Sequence, residues 1–397
     1  MSSTPREFRL LCSALRRPQR REDIDAQRQI LAETASRAFN WQAVIDGARR
    51  HRVAPLVLEA LRATDRVVPE TAMAALQRLA NAAARRSLAQ IGELERLATL
   101  FADAGIRMIA LKGVTLSAQL EGDGSLRGAR DLDLLVDPSR FVEVEALLVR
   151  NGYRSTGAAL SPRQEAAHRN WTKDVEFLNP ATGVPVELHH RLTDNQHLLD
   201  CDFDTLWRER EIVAIGGTAI ATLPRRYLAL YLCVHGAGHA WERLRWLADL
   251  AAALREPGAV EQAAAAASAA GLLPPMLHAL LLAHDWLGLA VPAGVLAEAR
   301  TNRAVARLDR ILAHLYAAET WHRMPRRGTF RARMRYSLWQ RLYRLSLKSD
   351  TRFRLRQALR EFISPTDWTT VPLPDPLFFL YPLVRPVGWL LRRHRHG

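Results

Sequence analysis

The sequence predicts an α+β fold, a mixed core of strands and helices set between helical regions at either end. Three observations carry this prediction. Residues 106–136, IRMIALKGVTLSAQLEGDGSLRGARDLDLLV, run as strand, turn, helix, loop and strand. Residues 171–189 then read as a hairpin, two apolar-rich runs around a polar turn. Outside about 99–200, apolar residues recur at the three-to-four spacing of amphipathic helices.

In chain order, residues 24–100 read as helices throughout. Ile24, Ile30 and Leu31, then Leu56, Val57 and Leu61, then Leu88, Ile91, Leu94 and Leu97 mark apolar faces. Pro55 and Pro69 mark helix starts or breaks. Phe39, Trp41 and His51 read as ordinary packing, which makes residues 1–98 a helical cap without chemistry of its own.

The core, 99–200, holds the chemistry. Residues 106–111 form an apolar strand, Lys112-Gly113 a turn, 114–119 a helix and 121–124 a polar loop. The chain returns as a strand over 131–136. Side chains alternate along a strand, so Asp131 and Asp133 point the same way, about 6.6 Å apart, while Leu132 and Leu134 bury on the other face. Two carboxylates that close are costly unless a cation sits between them. Such hard oxygen ligands suit Mg²⁺, with Mn²⁺ the alternative. Asp137-Pro138 starts the next helix, with Asp at the cap and Pro at the first position. Asn151-Gly152 ends it. Residues 171–178 read as a strand, 179–183 as a turn and 184–189 as the returning strand, on which Glu187 and His189 share a face.

Leu111-Lys112-Gly113, Arg127 four residues before the acidic pair, and the run DLDLLV over 131–136 together resemble an uncharacterised bacterial nucleotidyltransferase family. It is a variant, with a Lys-Gly turn, of the polymerase-beta-like nucleotidyltransferase superfamily. The resemblance extends through Val186-Glu187-Leu188-His189 and from His235 to Asp249. It implies a polymerase-beta-like core, with Asp131, Asp133 and Glu187 as catalytic and metal-binding acids. It also implies that Lys112, Gly113, Thr115 and Arg127 hold nucleotide phosphates, and that His189, His235, His239 and Asp249 stand near the cleft as second-tier candidates. Two departures stand out. Glu187 occupies a position where relatives more often carry Asp, and Val114 follows Gly113 where the superfamily usually has Gly or Ser. Arg130 and Lys173 read equally well as solvated charges, and His190 as a residue lining the cleft.

Beyond 201 the chain reads as helical again, as a domain over 201–320 followed by a basic segment and tail over 321–397. His235 and His239 lie four apart on one helix face. That spacing suits a metal, but the Glu of the helical zinc-protease motif is missing. Residues 323–360 interleave arginines with Phe330, Tyr336, Trp339 and Tyr343, a pattern that could bind a polynucleotide.

Composition tempers that reading. The 397 residues carry a net charge of +15, yet only Lys112, Lys173 and Lys348 of the 56 basic residues are lysine, leaving 53 arginines. So lopsided a choice, beside the alanine-rich runs, reads as genomic base bias, which weakens arginine number as evidence for a nucleic-acid partner. Three scattered cysteines, Cys12, Cys201 and Cys233, fit a reducing cytosol and exclude a disulfide scaffold. Residues 1–22 are polar and show no secretory signal, and prolines interrupt the apolar run at 372–391, so it does not read as a membrane span.

The expectation is a cytoplasmic, Mg²⁺-dependent nucleotidyltransferase. It takes a nucleoside triphosphate such as ATP and acts on an acceptor that is a small molecule, a peptide or a protein. Nucleic acid is not expected, and membrane contact is limited to peripheral docking of the tail. The rivals are an RNA-directed nucleotidyltransferase and a catalytically silent nucleotide-binding regulator.

Overall fold

A computed structural model gives the architecture. It describes residues 5–16, 25, 28, 32, 39–63, 68–122, 129–157, 160–316, 321–322, 330–362, 368, 370–371, 373–381 and 383–384. Within these, seven strands make one sheet: β1 (Met108–Ala110), β2 (Leu132–Val136), β3 (Arg154–Ser155), β4 (Asp174–Leu178), β5 (Pro185–His189), β6 (Glu211–Ile215) and β7 (Thr218–Thr222). Their order is β3-β4-β5-β2-β1-β7-β6. β2 runs parallel to β5 and β1 parallel to β7, and the remaining pairs are antiparallel, so the sheet is mixed as expected.

The alternation read from the sequence divides two cores. Leu132, Leu134 and Val136 of β2 join Val186 and Leu188 of β5 on one face, over Leu94, Leu97 and Phe101 and over Phe141, Val144 and Leu148. The opposite face contributes Ile109, Leu111 and Leu135 to a larger core shared with the helical body. The helix Glu70–Asp103 serves both cores, with Leu76 in the larger and Leu94, Leu97 and Phe101 in the smaller. Its 34 residues span about 50 Å at 1.5 Å per residue.

Two expectations need correction. The strand expected over 171–178 begins only at Asp174, because Pro162–Trp171 is a helix. Ser161 caps it in a full capping box, with Pro162 at the first position. The region beyond 201 is not wholly helical, since residues 211–222 form the β6–β7 hairpin. Gly216 (φ 56°) and Gly217 (φ 102°) turn it, and Thr222 pairs with Ala110 to extend the sheet. Helices resume at Arg225–Gly238 and Leu244–Ala253. The basic stretch is a pair of helices, Phe330–Leu345 and Thr351–Phe362, whose Tyr343 and Phe353 are buried in the larger core. Residues 323–329 of it lie outside the described residues, as does the whole tail after 384. Among the described residues, no helix is long and apolar enough to cross a membrane.

Candidate active site

Register assembles the site. β2 and β5 are aligned so that Asp133 sits beside Glu187, and β4 pairs antiparallel to β5 so that Asp174 sits across from His189. All four side chains leave the face opposite the smaller core. Asp133 is 1% exposed and His189 fully buried. His189 Nε2 lies 3.2 Å from Asp133 Oδ1, 3.4 Å from Glu187 Oε2 and 3.6 Å from Asp174 Oδ2. Ligand atoms of Asp133, Glu187 and His189 fall within 4.8 Å of one another, the one such set among the described residues, and it does not include Asp131. Asp131 sits just ahead of β2, close enough for its charge to act on Asp133, Lys112 and Glu187.

Two of the three lysines sit here. Lys112 Nζ is 2.9 Å from Asp133 Oδ1. Lys173 Nζ binds Asp174 and lies 3.3 Å from Glu187 Oε2. Glu187 keeps 20% and Asp174 23% of its side-chain surface open, so the cluster is reachable from solvent.

The titrations follow from this crowding. Burial, and then Asp133, raise Asp131 to about 6 against the pull of Lys112. Burial works against ionised Glu187 too, but the hydrogen bond from His189 and the charges of Lys173 and Lys112 hold it well below the usual carboxylate range. Burial likewise opposes the charge on Lys112, and Asp133, Asp131 and Glu187 outweigh it. Asp174 is raised by burial despite His189 and Lys173.

The turn before the site needs its glycine. Gly113 has φ 78°, and a Cβ there would meet the Ala129 Cβ at 3.2 Å. The helix Val114–Glu121 follows, with its first backbone N–H groups free of intrahelical partners. Thr115 is buried, and its hydroxyl donates to the Lys112 carbonyl at 3.0 Å, so that proton shapes the turn. Arg127 lies outside the described residues.

The helix Arg225–Gly238 and the turn after it lie over the cluster. His235 feels the charges of Lys112, Lys173 and Glu187. Its ring stands 5.1 Å from that of His239 and 5.2 Å from Trp246, and His239 stands 4.8 Å from Trp246. Burial lowers His235 far below its ordinary value and His239 to about 3, so both rings are neutral. Asp249 instead binds Arg245 Nε at 2.8 Å within its own helix. His190 Nε2 donates to the Arg169 carbonyl at 3.0 Å, and the ring packs on Phe141 rather than in the cluster.

Asp133 Oδ2, His189 Nδ1, Tyr231 Oη and His235 Nε2 are all buried without a hydrogen-bond partner among the described residues. Other buried atoms, Ser87 Oγ, Gln90 Oε1 and Trp368 Nε1 among them, also lack a partner among the described residues, and what sets these four apart is that they gather around one carboxylate cluster.

Sequence reasoning missed Asp174 and Tyr231 and undervalued Lys173. Tyr231 stands four residues before His235, on the same helix face, and the charges of Asp133, Lys173 and Glu187 reach it. Asp174 comes opposite His189 because Leu178 pairs with Pro185, one residue later than a turn over 179–183 alone would set.

Strand, glycine turn, helix and acid-bearing strands define the class. This is a nucleotidyltransferase core. Residues 37–288 match the model of a family described as an uncharacterised nucleotidyltransferase, and the chain belongs to that family. It is a transferase that moves a nucleoside monophosphate from a nucleoside triphosphate. No curated protein matches the chain.

Proposed function

We propose that the protein is a divalent-cation-dependent nucleotidyltransferase whose acceptor is a small molecule, a peptide or a protein. The observation that carries this is the buried, unpartnered Asp133 Oδ2 at the centre of the Asp133–Glu187–His189 set. The donor set fits a hard cation. Carboxylates of Asp133 and Glu187 would hold it with Asp131 alongside, and the imidazole of His189 favours Mn²⁺ more than Mg²⁺ would need. A bound cation would supply Lewis-acid stabilisation of charge developing on the transferred phosphoryl group.

The chain's own groups do the rest. Glu187 is held ionised and acts as a ligand rather than a base. Asp131, beside the Asp133–Glu187–His189 set, is the carboxylate placed to accept the acceptor hydroxyl's proton. Lys112, the Gly113 turn and the following helix N-terminus offer a cation and backbone N–H groups to phosphate oxygens, and the guanidinium fork of Arg127, outside the described residues, is a further phosphate contact in this reading. Lys173 keeps Glu187 and Asp174 from repelling each other. Tyr231, His235 and Trp246 roof the cleft, where the base or acceptor would lie.

The test is pyrophosphate release with each of four labelled triphosphates and Mg²⁺ or Mn²⁺, alongside Mn²⁺ binding followed by electron paramagnetic resonance. Release and Mn²⁺ uptake in the wild type, both lost in Asp133→Ala, are expected. A folded protein that binds triphosphate yet neither takes up metal nor labels any added acceptor would establish the silent, regulatory alternative.

A further inference from the structure

Arg52 and Arg243 stand within charge reach of Asp131, and neither makes an ion pair among the described residues. Arg52 follows the helix Trp41–His51 and holds a left-handed backbone (φ 57°), uncommon for any residue with a side chain. Arg243 immediately precedes the helix Leu244–Ala253. One histidine pins the two helix ends together. His51 Nδ1 accepts the Leu244 N–H at 3.1 Å, and Nε2 donates to the Trp321 carbonyl at 2.8 Å. The His51 ring is fully buried and lowered to about 3, chiefly by that burial, so it is neutral with its tautomer set. This contact brings the chain around Arg52 to the start of the helix that follows Arg243, and the charge of Arg243 reaches Arg52.

Their electrostatics are costly as they stand. Arg52 is lowered to about 10 by burial first and then by Arg243, while Asp131 pulls the other way. Arg243 is lowered by burial and by Arg130 and Arg50, with Glu242 and Asp131 opposing. Neither guanidinium makes an ion pair or a side-chain hydrogen bond among the described residues. Half-buried like charges with no acid in hydrogen-bond contact are disfavoured. The Arg243 guanidinium lies 5.4 Å over the Trp246 ring, whose other neighbours are His235 and His239. Through Trp246 the arginine pair is continuous with the roof of the cleft, and the charge of Asp131 reaches both guanidiniums.

We propose that Arg52 and Arg243 form a diphosphate site that holds the terminal two phosphates of the bound triphosphate and then the released pyrophosphate. This rests on the nucleotidyltransferase reading above. A phosphate tail brings several oxygens that planar guanidinium forks bind bidentately. In the balanced reaction the acceptor oxygen bonds to the α-phosphorus, the bond to the bridging α–β oxygen breaks, and the acceptor's proton leaves to a base. The extra charge then appears on the pyrophosphate, where the two arginines stand.

The test is titration calorimetry on the full chain with Mg²⁺ and inorganic pyrophosphate, a triphosphate and the matching monophosphate. The variants are Arg52→Gly, Arg243→Gln and Arg243→Lys. Glycine suits the left-handed position, so Arg52→Gly removes the side chain while keeping the fold, and melting curves confirm it. Losing a charge-assisted contact should weaken pyrophosphate and triphosphate about tenfold or more in Arg52→Gly and Arg243→Gln. Arg243→Lys should fall between, and monophosphate binding should change little. Unchanged pyrophosphate affinity in both folded variants overturns the assignment and leaves the nucleotidyltransferase reading standing. Equal losses for monophosphate and pyrophosphate also overturn it, since the arginines would then hold a single phosphate, as on an anionic acceptor. A folded wild type that binds none of the triphosphates overturns both.

Discussion

Two carboxylates are buried against opposite faces of the sheet, and they are buried differently. Glu93, 3% exposed beside the smaller core, takes both Nε and Nη2 of Arg96 at 3.1 Å and the hydroxyl of Tyr153. Neither of its oxygens lacks a partner, and the Arg96 guanidinium covers the Tyr153 ring from 5.0 Å. Asp133, 1% exposed on the other face, meets Lys112 and His189 through Oδ1 and leaves Oδ2 with nothing. A buried acid alone therefore says little about function. A satisfied one is structure, and on the proposed function one with an unpartnered oxygen among other carboxylates is a ligand for the cation.

That contrast can be broken by experiment. Asp133→Asn keeps shape and removes charge. It should lower triphosphate turnover on the order of a thousandfold, as expected when several kcal/mol of metal-borne stabilisation go. Its melting midpoint should hold or rise, because one of several crowded acids is neutralised. Glu93→Ala should do the reverse. It should cost about 3 kcal/mol in urea unfolding, because Tyr153 and Arg96 lose their buried partner, with pyrophosphate release per folded molecule unchanged. If Asp133→Asn unfolds the protein while Glu93→Ala abolishes turnover, the assignment of roles is inverted.

How far the sequence disclosed this follows from how local each signal is. The Gly113 turn, the alternation of β2 and the hairpin turning at 179–183 are set by near neighbours, and each was read in its place. The β6–β7 hairpin carried an equally local signal, Gly216-Gly217 between the runs EIVAI and TAIAT. Ala214, Ala219 and Ala221 disguise it, since alanine favours helix, and the sheet's pairing of Thr222 with Ala110 overrides that preference. Lys112 and Lys173 stood out as two of three lysines, but only the register brings Lys173 to Glu187. Arg52 and Arg243 lie 191 positions apart in a chain full of arginine, and nothing nearby marks either one. What joins them is the contact from His51 to Leu244, and His51 read from the sequence as ordinary packing.

His51 gives the subtlest contrast, because its value lies in being neutral. Its pKa is about 3 folded against an ordinary 6.5. Between those values the unfolded chain binds the proton and the folded chain does not. Its contribution is therefore whole above pH 6.5 and is lost progressively as pH falls towards 3. From pH 7.5 to 5.0 this one ring should remove about 2 kcal/mol of stability. Other buried histidines, His235, His239 and His278 among them, titrate in the same direction, so the wild type alone cannot isolate it. His51→Gln keeps a donor and an acceptor without a titrating group. Its urea midpoint should fall less than the wild type's between the two pH values, by the equivalent of about 2 kcal/mol. Parallel acid limbs for the two proteins would mean that His51 takes up its proton without unfolding the chain. The bond to Leu244 would then be too weak to keep the two arginines together.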